Sequence, residues 1–239
     1  MDSYKVNARS KNVKHRHGKK SSKGVIMYIP KKFKQSDTAA LKTLMVEYPF
    51  ATMIGTSELG LEVNHIPLML KQIDGKDKLQ GHIAKANPLW KNIADKAEVL
   101  VVFNGPNCYI SPNFYPTKMA TGKAVPTWNY VAVHVKGLIS FVHDNTRNLD
   151  LLSCLTRQHE ALQPKPWSIE DAPKQYIAKM LPAIVGIEID ITSIAGKWKV
   201  SQNQPTINKQ GIFNALSGEN ESHALKIAEL VKSHMEEMT

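Results

Sequence analysis

Between Thr127 and Val142 the chain alternates with a period of two, Val131, Val133 and Val135 against Ala132, His134 and Lys136. Only a strand puts such residues on opposite faces, and sixteen residues make a long one. A second alternation runs from Ile184 to Ile191, with Val185, Ile187, Ile189 and Ile191 on one side. Shorter strand-like stretches cover Ala51–Thr56, Leu61–Leu70 and Lys78–Ala84. Asp74-Gly75 reads as a hairpin turn between the last two, loosened by the residues around it. Val99–Phe103 and Asn107–Ile110 read as a strand pair joined by a turn at Asn104-Gly105-Pro106. The strands follow one another through hairpins, without a repeated βαβ rhythm. The expectation is a β-rich α+β chain: an antiparallel barrel with peripheral helices.

The helices are signalled by caps and stripes. Asp37 is an N-cap for a helix carrying Leu41, Leu44 and Met45, and Tyr48-Pro49 ends it. A helix is predicted from Thr146 to about Leu162, with Leu149, Leu152 and Leu155 along its stripe and Cys154 alongside. Trp167–Met180 reads as irregular, then helical. An amphipathic helix from about Glu221 places Ala224, Ile227, Ala228 and Val231 on one side. It forms a C-terminal extension of a single domain spanning 27–239.

Charge is unevenly distributed. The net charge is +10, but residues 1–26 hold eight Lys or Arg against one acid, Asp2. The rest of the chain holds 23 basic and 20 acidic residues and is nearly balanced. The leader has too few apolar residues to bury and reads as disordered. It is a solvated leader, an upstream start ahead of Met27 or a cloning remnant; the functional alternative is nucleic-acid binding through phosphates, without sequence preference. No apolar run is long enough for a membrane span, and the N-terminus lacks a secretory h-region. Cys108 and Cys154 sit in no metal or redox pattern, so a cytoplasmic protein with reduced thiols is expected.

Four stretches carry chemistry. In Gly81-His82-Ile83-Ala84-Lys85-Ala86-Asn87-Pro88-Leu89-Trp90, Asn87 and Pro88 are an N-cap and N1 pair opening a helix to about Ala97. Free N–H groups there, with Lys85 beside them, suit a phosphate; an ordinary strand–helix junction is the alternative. Gly81 would let a ligand approach the backbone. In Leu61-Glu62-Val63-Asn64-His65-Ile66-Pro67-Leu68, Pro67 marks an edge or bulge. His65 and His82 lie on strands expected to be neighbours, with no third ligand to make a metal site. Trp128 and Tyr130 share a strand face, for stacking on a planar ring, for an interface or for core packing. Lys197, Lys199 and Ser201 alternate along an extended segment that meets an anion or protects an edge. No nucleophile–base motif, GxGxxG or P-loop is present.

In order, these stretches, together with Met27-Tyr28-Ile29-Pro30, Val102-Phe103-Asn104-Gly105-Pro106-Asn107, Tyr109-Ile110-Ser111-Pro112, His159-Glu160 and Lys197-Trp198-Lys199-Val200-Ser201-Gln202-Asn203, closely resemble the PaiB family of FMN-binding negative transcriptional regulators. The resemblance runs from Met27 to about Gly218. It implies the split β-barrel shared with pyridoxamine 5′-phosphate oxidases, a homodimer, and FMN in the groove between subunits. Carried over to this chain, Asn64, His65, Ile66, Pro67, Gly81, His82, Ile83 and Ala84 would hold the ring and ribityl chain. Lys85 and Asn87 would hold the phosphate, and Lys199 and Gln202, in the late segment, would close the groove, with Trp128 as the cofactor-binding candidate for stacking on the ring. Lys199 and Ser201 stand where the oxidases use arginine and histidine, which argues against pyridoxamine phosphate oxidation. The implied function is negative regulation of sporulation or degradative-enzyme genes. The alternatives are a flavin-dependent oxidoreductase, or a haem-binding or haem-degrading split barrel with His65 or His82 as axial ligand.

Overall fold

The computed structural model describes residues 27–236, so the expectation for the leader at 1–26 lies outside the described residues. The elements are β1 (Lys34–Gln35), α1 (Thr38–Glu47), β2 (Phe50–Ser57), β3 (Gly60–Pro67), β4 (Met69–Ile73), β5 (Lys76–Ala84), α2 (Leu89–Asn92), β6 (Glu98–Ile110), α3 (Thr117–Thr121), β7 (Thr127–Val142), α4 (Asn145–Glu160), α5 (Lys174–Met180), β8 (Ile184–Lys199), α6 (Thr206–Ser217) and α7 (Ser222–Glu236). All strand pairs are antiparallel, in the order β3-β2-β6-β7-β8-β5-β4, with β1 on β8.

The inward residues of these strands make the core. Met53, Val101, Phe103, Val133, Val135, Ile139, Ile187, Ile189 and Leu79 are buried without measurable exposure. The sheet curls until β3 approaches β5, but the two are not hydrogen-bonded, so the barrel is split there. The stretch 61–70 is therefore two strands rather than one. The chain leaves β2 after Pro67, and Leu68 donates its N–H to Pro49 O before β4 begins pairing with β5. Gly81 permits this bend, because a Cβ there would lie 2.7 Å from Pro67 O. The β4–β5 turn is tighter than expected. Ile73 pairs Lys76 directly, and Asp74 and Gly75 both take positive φ, as a two-residue hairpin requires.

The Asn104-Gly105-Pro106 turn is not formed. β6 runs unbroken against β7, with a register shift between Asn104 and Asn107. The bulge absorbs Pro106, which has no N–H to offer a ladder. Gly105 faces Val131 and Leu44, which would lie 2.5 and 2.6 Å from an added Cβ. The helix after Pro88 is one turn, not ten residues, and its Leu89 and Ile93 are buried at the mouth of the barrel. β8 extends eight residues beyond Ile191 to Lys199. α6 was not expected from the sequence. α4 turns Leu151 and Leu155 inward, with Leu149 and Leu152 half-buried beside them. α1, capped by Asp37, and α7 bury the residues their stripes marked. No helix among the described residues is long and apolar enough to cross a membrane.

Candidate functional site

β3 presents two unlike faces. Its inward residues Glu62 and Asn64 are polar, because at the split they meet the loop that carries α2 rather than another strand. Asn87 donates from Nδ2 to Asn64 Oδ1 at 2.7 Å, and its own Oδ1 accepts from Leu89 N at 3.0 Å. The N-cap expected at Asn87 is thus made by its side chain. Asn92 donates to Glu62 Oε1 at 2.8 Å, and Ser57 Oγ donates to the same atom at 3.2 Å. Trp90 Nε1 donates to Lys85 O at 3.0 Å, and Lys85 N donates to Ala183 O at 2.8 Å. The loop is fastened at both ends, and it holds the exposed Lys85 with its ammonium unpartnered among the described residues. A single turn has little dipole, so the positive potential here belongs to Lys85.

The outward face of β3 shares rows with the strands beyond it. His65 pairs Thr52, Thr52 pairs Val102, and Val102 pairs His134. Thr52 Oγ1 lies 3.1 Å from His65 Nδ1. Leu61 and Val63 on the edge strand β3, exposed at 76% and 55%, and Phe50 on β2, exposed at 68%, lie open on this face.

A second group lies at the other end of the sheet. Trp128 and Tyr130 do share a face, with the buried Asn129 pointing inward between them. The exposed Tyr109 packs edge-on to Trp128, with ring centroids 6.1 Å apart. Lys197 sits 5.2 Å from the Tyr130 ring centroid and donates to Tyr28 O at 3.1 Å. Lys199 donates to Thr127 Oγ1 at 2.5 Å and to Trp128 O. Burial and the neighbouring Lys197 charge push its pKa below the ordinary lysine value. Beyond β8 the chain turns through Ser201, at φ +63°. Asn129 Nδ2 donates to Ser201 Oγ at 2.9 Å, and Gln202 is committed to its own backbone, donating to Trp198 O and accepting from Val200 N.

The sequence-derived residues therefore separate. Asn64, His65, Pro67, Ala84, Lys85 and Asn87 gather around the split. Ile66, Gly81 and Ile83 point into the barrel and are buried; the room at Gly81 is taken by the bend after Pro67. His82 is not beside His65: it lies on the outward face of β5 beneath α4, where burial lowers its pKa. Trp128, Lys199 and Gln202 stand at the far end. Ala84 pairs the first residue of the sixteen-residue β8 and Tyr130 pairs its last, so the two groups lie at opposite ends of a strand with a contour of about 50 Å. The residues that hold the loop and the far group, Glu62, Asn92, Trp90 and Asn129, were not picked out for those roles. Only Trp90's place beside Asn87-Pro88 hinted at one of them.

The fold is that of a split β-barrel. The flavocytochrome Anf3 of Azotobacter vinelandii superposes with a TM-score of 0.52 at 15% identity, over 70% of this chain and 69% of that one. The conserved hypothetical protein Rv2991 of Mycobacterium tuberculosis superposes at 0.50 and 12% identity, over 75% and 94%. In sequence, the Protease synthase and sporulation protein PAI 2 of Bacillus subtilis is 29% identical over 87% of this chain and 98% of its own length. The uncharacterized protein AFUA_5G13800 of Aspergillus fumigatus is 33% identical over 72% and 82%. Residues 27–193 match the family model described as "Putative FMN-binding domain", and the chain belongs to that family, on a PaiB-like split β-barrel.

Proposed function

We propose that the protein is a homodimer that binds FMN between its subunits and serves as a PaiB-type negative regulator. The observation that carries this reading is the division of the site. Lys85 offers a free cation for a phosphate, and Asn64 and Asn87 offer amide groups beside it. The Tyr109–Trp128 pair offers aromatic surface for a flat ring system, with Lys197 and Lys199 behind it. Those residue types fit FMN, but they stand at opposite ends of β8. A two-fold partner would bring the far group of one copy against the split of the other. The strip of Phe50, Leu61 and Val63 is the surface such a partner would cover.

FMN, when bound, supplies one- and two-electron chemistry. The chain's own residues anchor and orient it: Lys85 neutralises phosphate, the Asn64–Asn87 bond fixes the loop, and Trp128 gives a stacking face. The regulatory role follows the relative whose name concerns protease synthesis and sporulation. The test is to titrate FMN into the purified protein while following absorption, fluorescence and sedimentation. Flavin bands that shift on binding to a species of twice the chain mass support the reading; a monomer that leaves FMN unchanged overturns it. Salt-sensitive, sequence-specific DNA retention that survives removal of residues 1–26 would assign regulation to direct DNA contact.

A further inference from the structure

α4 does not share the main core. Its Leu151 and Leu155 pack with Met69 in a small separate cluster, with Leu152 and Cys154 half-buried beside them. Met69 belongs to β4, the last strand of the sheet, which is hydrogen-bonded to β5 alone. Two residues on, and so on the same face of β4, Lys71 reaches up to the helix: its Nζ lies 3.7 Å from Cys154 Sγ. That thiol is the only polar contact of Lys71 among the described residues. Lys78, directly opposite on β5, is instead engaged by Glu188 and Asp190 at 2.7 and 2.9 Å.

The two side chains form a pair suited to oxidation. Lys71 lines an open cleft of about 370 Å³ beside α4, and both residues are half-buried, so a small solute has a path to them. A partly exposed sulfur beside a lysine is the setting in which thiols oxidise first. Cys108 is the opposite case. It is buried, and burial with the charges of Glu221 and Glu219 pushes its pKa up to about 11, which keeps it inert. Both cysteines are free, so a sulfenic acid at Cys154 would have an amine beside it and no second thiol. A direct sulfur–nitrogen bond would require most of the 3.7 Å gap to close. One inserted oxygen atom spans that gap with less movement of α4.

We propose that hydrogen peroxide joins Cys154 to Lys71 covalently through a single oxygen atom, fastening α4 to the edge strand β4. A first peroxide oxidises the thiol to the sulfenic acid and leaves as water. A second forms the bond from that oxygen to the neutral Lys71 amine, and two further waters leave. The S–H bond and one N–H bond are broken, S–O and O–N bonds are made, and each peroxide takes up two electrons. A dithiol reductant reverses both steps, returning thiol, amine and water. The bridge lies outside the proposed flavin groove and does not depend on it.

The test treats the reduced full chain with hydrogen peroxide and reads intact mass, peptide map and melting temperature. The expected product has gained one oxygen and lost two hydrogens, carries the Lys71 and Cys154 peptides as one species, and reverts with dithiothreitol. Because the bridge closes a loop between residues 83 apart, the melting temperature should rise by about 5 °C or more. Cys154→Ser and Lys71→Arg should each abolish both the crosslink and the rise. Lys71→Arg keeps a positive charge beside the thiol, so it separates a covalent bridge from an effect of charge. Four results would overturn the proposal: an unchanged mass, oxygen added at Cys154 without a crosslink, a direct sulfur–nitrogen bond, or the same crosslink in Lys71→Arg.

Discussion

Asn87 Nδ2 donates to Asn64 Oδ1 at 2.7 Å across the split between β3 and β5. This bond ties the strand edge to the loop that carries Lys85, so the position of that exposed lysine, unpartnered among the described residues, depends on a contact between residues 23 apart in sequence. Asn87→Ala removes that bond and the cap on Leu89 together, whereas Asn64→Ala removes only the bond. Urea unfolding should show Asn87→Ala less stable by about 1–3 kcal/mol and Asn64→Ala by about 1 kcal/mol. A double-mutant cycle that finds no coupling would deny the bond its role.

Lys85→Ala should leave the melting temperature of the flavin-free protein nearly unchanged, because the side chain is exposed and unpartnered. A charge-assisted phosphate contact contributes about 1.5–3 kcal/mol, so the FMN dissociation constant should rise by about one to two orders of magnitude. Fluorescence titration at two salt concentrations checks this, and the salt sensitivity of binding should fall with the charge. Unaltered affinity would remove Lys85 from the phosphate site.

Val63→Asp places a charge in the middle of the exposed strip on β3 without disturbing the core. Sedimentation should then report a monomer at concentrations where the parent protein is a dimer. FMN binding should fall with dissociation, since half of the proposed groove comes from the second copy. A dimeric variant with normal flavin affinity would place the interface elsewhere.

Gly81→Ala presses a Cβ to within 2.7 Å of Pro67 O and 2.8 Å of Leu68 Cδ2. Backbone cannot step aside as a side-chain tip can. Overpacking should cost about 1–3 kcal/mol in denaturant midpoint experiments. A Gly81→Ala protein as stable as the parent would mean the β3–β4 bend has slack that the contacts do not show.

Acid should weaken the fold in two stages. The folded pKa of His82 lies below its ordinary value of 6.5 because of burial, so the unfolded chain takes a proton there first. Its contribution is complete above about pH 6.5 and is lost as pH falls towards the folded value. Glu188 follows: burial alone would raise its pKa, but hydrogen bonds from Lys78 and Gln80 outweigh it and lower it. Asp190 is lowered by hydrogen bonds from Lys78 and Lys96. Their stabilisation is present above about pH 4–5 and lost below it. Stability measured against pH should lose the first stage, and keep the second, in His82→Gln.

Local signals were legible wherever one element decides its own form. Asp37 and the stripe of Leu41, Leu44 and Met45 predict α1, the valine alternation predicts β7, and Ala224, Ile227, Ala228 and Val231 predict α7, because cap chemistry and facial periodicity act within a few residues. The antiparallel barrel and the family could likewise be read from the order of strands and motifs. Other features depend on neighbours distant in sequence. Asn104-Gly105-Pro106 has turn composition, yet it runs on as a bulged strand because Val131 and Leu44 occupy the space beside Gly105. α6 lacks a clear stripe and carries Gly211, whose missing side chain is needed 2.2 Å from Phe114 O. The helix expected from Pro88 to Ala97 is cut to one turn because it must fit the split.

The site was the least legible part. The sequence by itself determined which residue types are available: a lysine before an Asn-Pro cap, histidines and a proline on strands, aromatics and lysines late in the chain. Tertiary structure decided that His65 and His82 face different surroundings, that Ile66, Gly81 and Ile83 belong to the core, and that Lys85 and Trp128 stand at opposite ends of β8. Adjacent motifs in a sequence carry no information about which strands pair when the sheet closes on itself. That pairing is set by burying Met53, Phe103, Val133 and Ile187 together in the larger of the buried clusters, and the functional residues are carried to wherever the strands then lie.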